Sequence, residues 1–524
     1  MAVHKPRIFA LGVIAAFAVV AVVGILLRPL IPIDETRYVD VAWEMWLSGD
    51  YFVPHKNFEI YTDKPPLLFW LINLVWAVTG GVSGFGARIV GPLFALATLA
   101  GTWALGRRLW DGRTGALAAI ILAGSSVFAI YGGTTMFDTM LAVATLAGLL
   151  VLHSALSQPG VARRQWVLFG LCLALGVLAK GPVILFHLGP ALIGWKLWTD
   201  PESRPTGREF AKGLGRALLV CLAVVALWVV PAAIMGGAEY REMILWKQTS
   251  GRVVNSFAHA RPWFWLLALM PVVLFPWVWS PSLWAGMRRL SLSDRALRLC
   301  LVWGLGGLAL FSLISGKQVH YLVPEFPAFA LIFARALLGA PEQKGGLMNV
   351  PAAVLAVLLG VLAVVAGFGL TGDAVIEAQL RPIWAPLVFL VLMLGLAAAA
   401  YLLPRIAGLA VLGLGTVLGL NLLIGMSGLS AAYDSAPIAA RLVPHAEAGL
   451  AVVANRYNAE FGFEGRMTTH VDELTAEEAE GWLAAHPGGM LAAPCKRVET
   501  ARPPAEVIHF YGDDWCLWEG GAAQ

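Results

Sequence analysis

Long apolar runs separated by short polar breaks fill the first 427 or so residues of this 524-residue chain. A helix needs about 20 apolar residues to cross the hydrocarbon of a bilayer. Runs near that length fall at 8–27, 88–106, 115–132, 138–156, 166–180, 182–198, 217–235, 263–285, 299–315, 322–338, 348–370, 383–403 and 406–427. The first run follows His4-Lys5-Pro6-Arg7, and no small-residue cleavage pattern appears at Arg28-Pro29-Leu30-Ile31-Pro32, so it reads as an uncleaved span. Two further stretches fit an interface better than a span. Asp34 to Leu47 is amphipathic. Lys64–Gly80 is apolar, but counting it as a crossing would reverse every later loop; it reads as a helix lying in the outer leaflet.

The pattern changes near Ser430, where charged and turn residues become common. Short apolar stretches at Leu450–Ala454, Met490–Ala493 and Val507–Tyr511 flank a helix that opens with the capping box Thr475-Ala-Glu-Glu478 and stops at Pro487-Gly488-Gly489. The expected architecture is an all-α polytopic membrane part over 1–429, with about thirteen transmembrane helices, followed by a small α/β extracytoplasmic domain over 430–524. The first outer loop, about 29–87, holds the densest polar chemistry.

Composition agrees and narrows the function. The chain is 59% hydrophobic and 13% charged, about half the usual charge of near 25%, which excludes a disordered chain, a coiled coil, a fibrous protein and an ordinary cytosolic enzyme. Lys+Arg at 37 against Asp+Glu at 33 gives +4, too little to implicate nucleic acid. The scarce charge is sorted. Arg107, Arg108 and Arg113, then Arg163 and Arg164, then Lys196, Arg204, Arg208, Lys212 and Arg216, then Arg288, Arg289, Arg295 and Arg298 fall in alternate loops. The positive-inside rule makes those loops cytoplasmic, puts the N-terminus inside, and leaves the C-terminal domain outside. Cys495 and Cys516 share that outer domain, an oxidising place where pairing is permitted but not fixed by sequence.

Acids and bases gather in the loops of the other face. Asp34-Glu35-Thr36-Arg37-Tyr38 follows the first span, and Asp34 and Arg37 share a helix face at i, i+3. Tyr61-Thr62-Asp63-Lys64-Pro65-Pro66 places an aromatic, an acid and a base before a helix that the prolines start. Asp138, Lys180, Arg252, Arg261 and Lys317 lie at the same face. Bases that hold a phosphate, with an acid left over for chemistry, suit a phosphate-linked substrate. No P-loop or dinucleotide fingerprint accompanies them.

The order Asp34-Glu35-Thr36-Arg37-Tyr38, Gly49-Asp50-Tyr51, then Tyr61-Thr62-Asp63-Lys64-Pro65-Pro66-Leu67 resembles the aminoarabinose (lipid A) transferases. Those belong to the GT-C polyprenyl- and dolichyl-phosphate-sugar glycosyltransferases. Ala87-Arg88, Asp138, Lys180-Gly181-Pro182, His259 with Pro262, and Lys317 with Tyr321 and Pro324 extend the likeness over about 30–335. Many relatives carry Glu where Asp63 stands here.

The resemblance implies an inverting glycosyltransferase of a bacterial inner membrane, taking a sugar from a polyprenyl-phosphate donor to a glycolipid acceptor such as lipid A or lipopolysaccharide core. It implies that Asp34 is catalytic, with Asp138 a second candidate. Lys64, Lys180 and Arg252 would hold the donor phosphate, with Arg37, Tyr61, Tyr321 and Lys317 around the same cavity. Glu35, Asp63 and His259 are candidates for acceptor, sugar or metal contact; a divalent metal stays open, because two ligands far apart are no signature. No obligate protein partner is evident. A protein or polysaccharide acceptor is the alternative within the class, and a lipid or sugar transporter or flippase the alternative outside it. Transporters concentrate polar groups at the midplane, often within repeats, and neither pattern is visible here.

Overall fold

The computed structural model describes residues 6–157, 160, 162–244, 260–340, 346–372, 374–454 and 456–521. The first crossing is α1 (Pro6–Leu27), followed by the amphipathic α2 (Asp34–Ser48). A two-residue hairpin, β1 (His55–Lys56) with β2 (Glu59–Ile60), leads to α3 (Leu67–Thr79). At 1.5 Å per residue, α3 is about 20 Å long, short of the roughly 30 Å hydrocarbon core; the apolar stretch after Lys64 is therefore not a span by length. Then come α4 (Gly84–Arg88), α5 (Val90–Leu109), α6 (Gly112–Ala123), α7 (Ser126–Gly132), α8 (Asp138–Leu156), α9 (Arg163–Lys180), α10 (Ile184–Ile193), α11 (Trp195–Trp198) and α12 (Gly207–Met235). Longer helices follow at Arg295–Leu313, Phe326–Gly339, Val350–Gly367, Trp384–Leu402 and Arg405–Met426.

Among the described residues, ten helices are long and apolar enough to cross a bilayer, or eleven if α6 and α7 make one broken span. Two more passages emerge from packing. The helical stretch Arg163–Ile193 is not one rod. Trp195 stacks on Phe210 at 4.8 Å, and Phe210 meets Trp166 edge-on at 5.7 Å. A continuous helix would hold Trp195 roughly 43 Å from Trp166. The chain reverses at Gly181, whose φ of 78° suits glycine, so α9 goes out and α10–α11 returns. Second, the apolar run from Trp265 to Met287 is cut at Pro276 and Pro281 into Trp265–Val273, which carries Pro271 within it, Trp277–Trp279 and Pro281–Met287. It starts where Ala260 bridges Gly316 and ends where Arg289 donates to the Gly339 carbonyl, so it runs the whole length of Val319–Gly339. With both, and with α6 and α7 taken as one broken span, the described residues hold thirteen passages of membrane-crossing character.

The break between α6 and α7 turns the chain by 74°. The backbone groups it frees are taken up by neighbours: the Ser126 N–H donates to the Phe275 carbonyl at 3.1 Å, and its hydroxyl to the Gly413 carbonyl at 3.0 Å. A Cβ at residue 413 would lie 1.8 Å from the Gly124 carbonyl, so this approach requires glycine.

After Met426 the chain forms a five-stranded mixed sheet in the order β4 (Asp472–Leu474), β3 (Leu450–Val453), β5 (Met490–Pro494), β7 (Asp513–Glu519), β6 (Glu506–Phe510). β3 pairs parallel with β4 and β5, and the other pairs are antiparallel. Three of these strands coincide with the apolar stretches expected; β4 and β7 carry charge and lacked that signal. The expected helix is shorter, Ala479–Ala485, although Glu478 does reach back to the Thr475 N–H at 2.8 Å. Cys495 and Cys516 form a disulfide.

Candidate active site

Helix α2 begins at the acids Asp34 and Glu35, which the N-terminal dipole favours, and stops at Gly49 with φ 71°. Its inner side, with Tyr38, Val39, Ala42 and Met45, packs on Phe69, Ile72 and Trp76 of α3. That packing fixes which α2 side chains face outward. Asp34 is 41% exposed, and its Oδ1 accepts from Arg37 Nη2 at 2.5 Å and from the Tyr38 hydroxyl at 2.9 Å. Burial pushes the Tyr38 phenol well above its ordinary range, with Asp34 adding to the effect, so it stays a donor. Burial works against the Arg37 charge, yet Tyr61, Tyr38 and Asp34 outweigh it and raise the pKa.

The Phe137 ring joins this helix to the second group. It lies edge-on to Tyr38 at 4.8 Å and to Phe69 at 5.8 Å, and the Lys64 ammonium sits 5.9 Å from its centre. Tyr61 is buried against Phe69. The next residue, Asp138, opens α8; its Oδ1 accepts from Lys180 Nζ at 2.6 Å, with side-chain exposures of 2% and 11%. Lys180 ends α9 and lies 4.9 Å from the Tyr321 ring centre. Asp34, Arg37, Tyr61 and Lys64 are therefore linked through the Tyr38, Phe69 and Phe137 rings, and Phe137 is the chain neighbour of Asp138, which contacts Lys180 and through it Tyr321, at one end of the helices. Asp138 is enclosed, and its visible role is to hold Lys180.

Two expected site residues are placed elsewhere. Glu35 points inward at 2% exposure. Its Oε2 accepts the Ile31 N–H at 3.0 Å and its Oε1 the Thr135 N–H at 2.7 Å, so no oxygen faces an acceptor or a metal. Lys317 is buried, and its ammonium donates to the carbonyls of Ile314, Arg261 (2.9 Å) and Ser315 (3.5 Å), closing a loop. Arg252 and His259 lie outside the described residues. Asp63 accepts from Arg456 Nη2 at 3.0 Å. Among the described residues no three His, Cys, Asp or Glu side chains converge as a metal site requires.

The C-terminal segment supplies residues that carried no motif. Besides Arg456, Asn458 Oδ1 accepts from Arg37 Nη1 at 3.4 Å, and the Tyr457 carbonyl accepts from Lys56 Nζ at 2.5 Å. Phe463 stacks on Trp76 at 5.9 Å. Asp40 and Glu44, both buried, lie at i, i+4 on α2, and the Asp40 carboxylate sits against Gly462 of this segment. Burial pushes both carboxyls up, Glu44 to about 7. Asp50 is a turn residue, accepting the Phe52 and Val53 N–H groups at 2.9 and 3.0 Å.

A family model described as dolichyl-phosphate-mannose-protein mannosyltransferase matches residues 63–230. Curated relatives include the undecaprenyl phosphate-alpha-4-amino-4-deoxy-L-arabinose arabinosyl transferase of Pseudomonas paraeruginosa, 31% identical over 338 residues, covering 62% of this chain and 60% of the relative. The protein of the same name from Erwinia tasmaniensis is 29% identical over 373 residues, covering 68% and 65%. The matched stretch thus spans about three fifths of the relatives' length. Among solved structures, ArnT from Cupriavidus metallidurans bound to undecaprenyl phosphate superposes with a TM-score of 0.76 at 19% identity, covering 97% of each chain; its apo form gives 0.75. The likeness in fold covers 97% of this chain, well beyond the 62% matched in sequence.

Proposed function

We propose, on the premise that this chain is an aminoarabinose-transferase-like protein with the GT-C fold, that it is an inverting glycosyltransferase moving a sugar from undecaprenyl phosphate to a glycolipid. The sugar is of the aminoarabinose kind, and the acceptor is lipid A or a lipopolysaccharide core. The observation that carries this is the gathering of Asp34, with its Arg37 and Tyr38 partners, and of Lys64 and the Asp138–Lys180 pair at one end of such a fold.

In this reading the bond from the sugar C1 to the phosphate oxygen breaks as the acceptor oxygen bonds C1 from the opposite side. The electron pair goes to the departing phosphate, where Lys64 and Lys180 oppose the growing negative charge. Arg252, outside the described residues, belongs to that set by the family likeness. A hydroxyl acceptor gives its proton to Asp34; a phosphate acceptor has none to give, and Asp34 then orients it. Tyr61 and Tyr321 wall the donor side. The division at residue 429, the inner-membrane location, a cytoplasmic N-terminus and a periplasmic C-terminal domain belong to the same proposal, supported by the basic residues in the loops of the other face.

The test is mass spectrometry of membrane glycolipids from cells with the parent, with Asp34→Asn and without the protein. The expected result is one sugar increment on lipid A or core with the parent alone, while purified Asp34→Asn still binds undecaprenyl phosphate. A parental increment from the variant overturns the assignment.

A further inference from the structure

Glu35 stands beside Asp34 in sequence but serves the other side of the helix. It lies in the first turn of α2, and each carboxylate oxygen accepts a backbone N–H: Ile31 at 3.0 Å, in the link from α1, and Thr135 at 2.7 Å, in the link from α7 to α8. Arg28 and Arg88 are the cations nearest in charge to it. Both are buried and also bind backbone. Arg28 Nη2 donates to the Gly133 carbonyl at 3.0 Å, and Arg88 Nη1 donates to the carbonyls of Ile25 and Arg28, each at 2.7 Å. The same two loops are therefore tied twice, by Glu35 to Thr135 and by Arg28 to Gly133. The approach is close: a Cβ at residue 91 would lie 2.1 Å from the Thr134 carbonyl, so the α5 start must be glycine there.

What these ties hold apart is informative. Asp34 precedes Glu35, and Asp138 follows Thr135 by three residues and grips Lys180. We propose that Glu35 is a positioning residue that sets the separation between the Asp34 carboxylate and the Asp138–Lys180 pair. This rests on the reading of those groups as the reacting and phosphate-holding sides of one site. A buried carboxylate saturated by two amides from different loops has no partner to exchange for substrate. It does have the geometry of a brace, and misplacing reacting groups by about 1 Å can cost a hundredfold in rate.

The test uses the purified full chain as parent, Glu35→Gln, Glu35→Asp and Asp34→Asn. Glutamine keeps the length but turns an amide nitrogen toward one of the two N–H donors. Aspartate keeps the charge opposite Arg28 and Arg88 but falls a methylene short of spanning both loops. Four quantities are read: transfer from undecaprenyl-phosphate aminoarabinose to lipid A, binding of undecaprenyl phosphate, melting temperature, and hydrogen–deuterium exchange over 131–140. For Glu35→Gln the expected result is a fall in kcat of about tenfold or more, undecaprenyl phosphate binding near parental, a melting temperature that is lowered while the chain stays folded, and faster exchange at Thr135. Glu35→Asp should lie between, and it decides the matter should the glutamine variant not accumulate. Parental kcat with unchanged Thr135 exchange overturns the proposal; so does a loss of kcat that merely tracks lost folding and binding. Exchange reads the brace without turnover, so parental activity in Asp34→Asn overturns the catalytic reading alone.

Discussion

Replacing Lys180 with methionine removes the cation that faces Asp138 at 2.6 Å. At that separation and an effective dielectric of about 20, the attraction is about 6 kcal/mol, and much of it offsets the cost of burying two charges. The two single variants are not equivalent. Lys180→Met strands a carboxylate whose side chain is 2% exposed, and breaking a buried pair in this way costs about 3–5 kcal/mol. Asp138→Asn leaves an amide oxygen for Lys180 to bond, and the ammonium keeps its place near the Tyr321 ring, 4.9 Å away. That loss should be about 1–3 kcal/mol. Combining the two removes both charges, so the double variant should be more stable than the sum of the singles by about 2 kcal/mol or more. Transfer should not return with stability, because the proposed phosphate ligand is still missing. Unfolding in mixed detergent micelles, run beside the transfer assay on all four proteins, measures both. Additive losses within about 0.5 kcal/mol, or Asp138→Asn proving the more damaging single change, would refute the reasoning.

Two further outcomes follow from the C-terminal segment. The Cys495–Cys516 disulfide spans 21 positions, and opening a loop of that size should cost about 3 kcal/mol; reductant or Cys495→Ser/Cys516→Ser should lower the melting temperature of the sheet region, and an unchanged melt would count against it. Burial holds Glu44 protonated to about 7 in the folded state, above its ordinary 4.5. The native form therefore binds more protons between those values, and docking of the segment weakens as pH rises through that window. Protection against exchange over 456–471, taken relative to the intrinsic amide rate at each pH, should be greater at pH 5 than at pH 8, with the difference lost in Glu44→Gln; the opposite trend in protection would contradict the assignment.

The spans were legible because run length is nearly the whole requirement for crossing a bilayer. What the runs hid was how each crossing is built. The apolar stretch at 263–285 reads as one span, yet Pro276 and Pro281 divide it, and the cut ends are absorbed by neighbours such as Ser126. The run at 115–132 likewise hides the 74° turn after Ala123, which depends on Gly413, nearly 290 residues along the chain. Arg456 and Asn458 joined the site with no local pattern, because their reason for being there is the docking of Phe463 against α3 and of Tyr457 against the hairpin.

The chemistry was legible as a set of residue types and not as a set of roles, and the difference lies in partners. Asp34 and Glu35 are equivalent in composition and nearly so in position; only the packing of α2 on α3 turns one out and the other in. Among the buried charges, Glu35, Arg28, Arg88 and Lys317 bind backbone groups. Such a charge cannot trade its partner for a substrate without opening a loop. Asp34 with Arg37, and the enclosed Asp138 with Lys180, are bound instead to other side chains at one end of the helices. A phosphate can share such a cation, because the side chain rotates without breaking backbone contacts. In a membrane protein where unpaired charge is costly, that distinction separates residues that hold a site from those able to engage a ligand, and under the proposed function it puts Lys317 in the first group and Lys180 in the second.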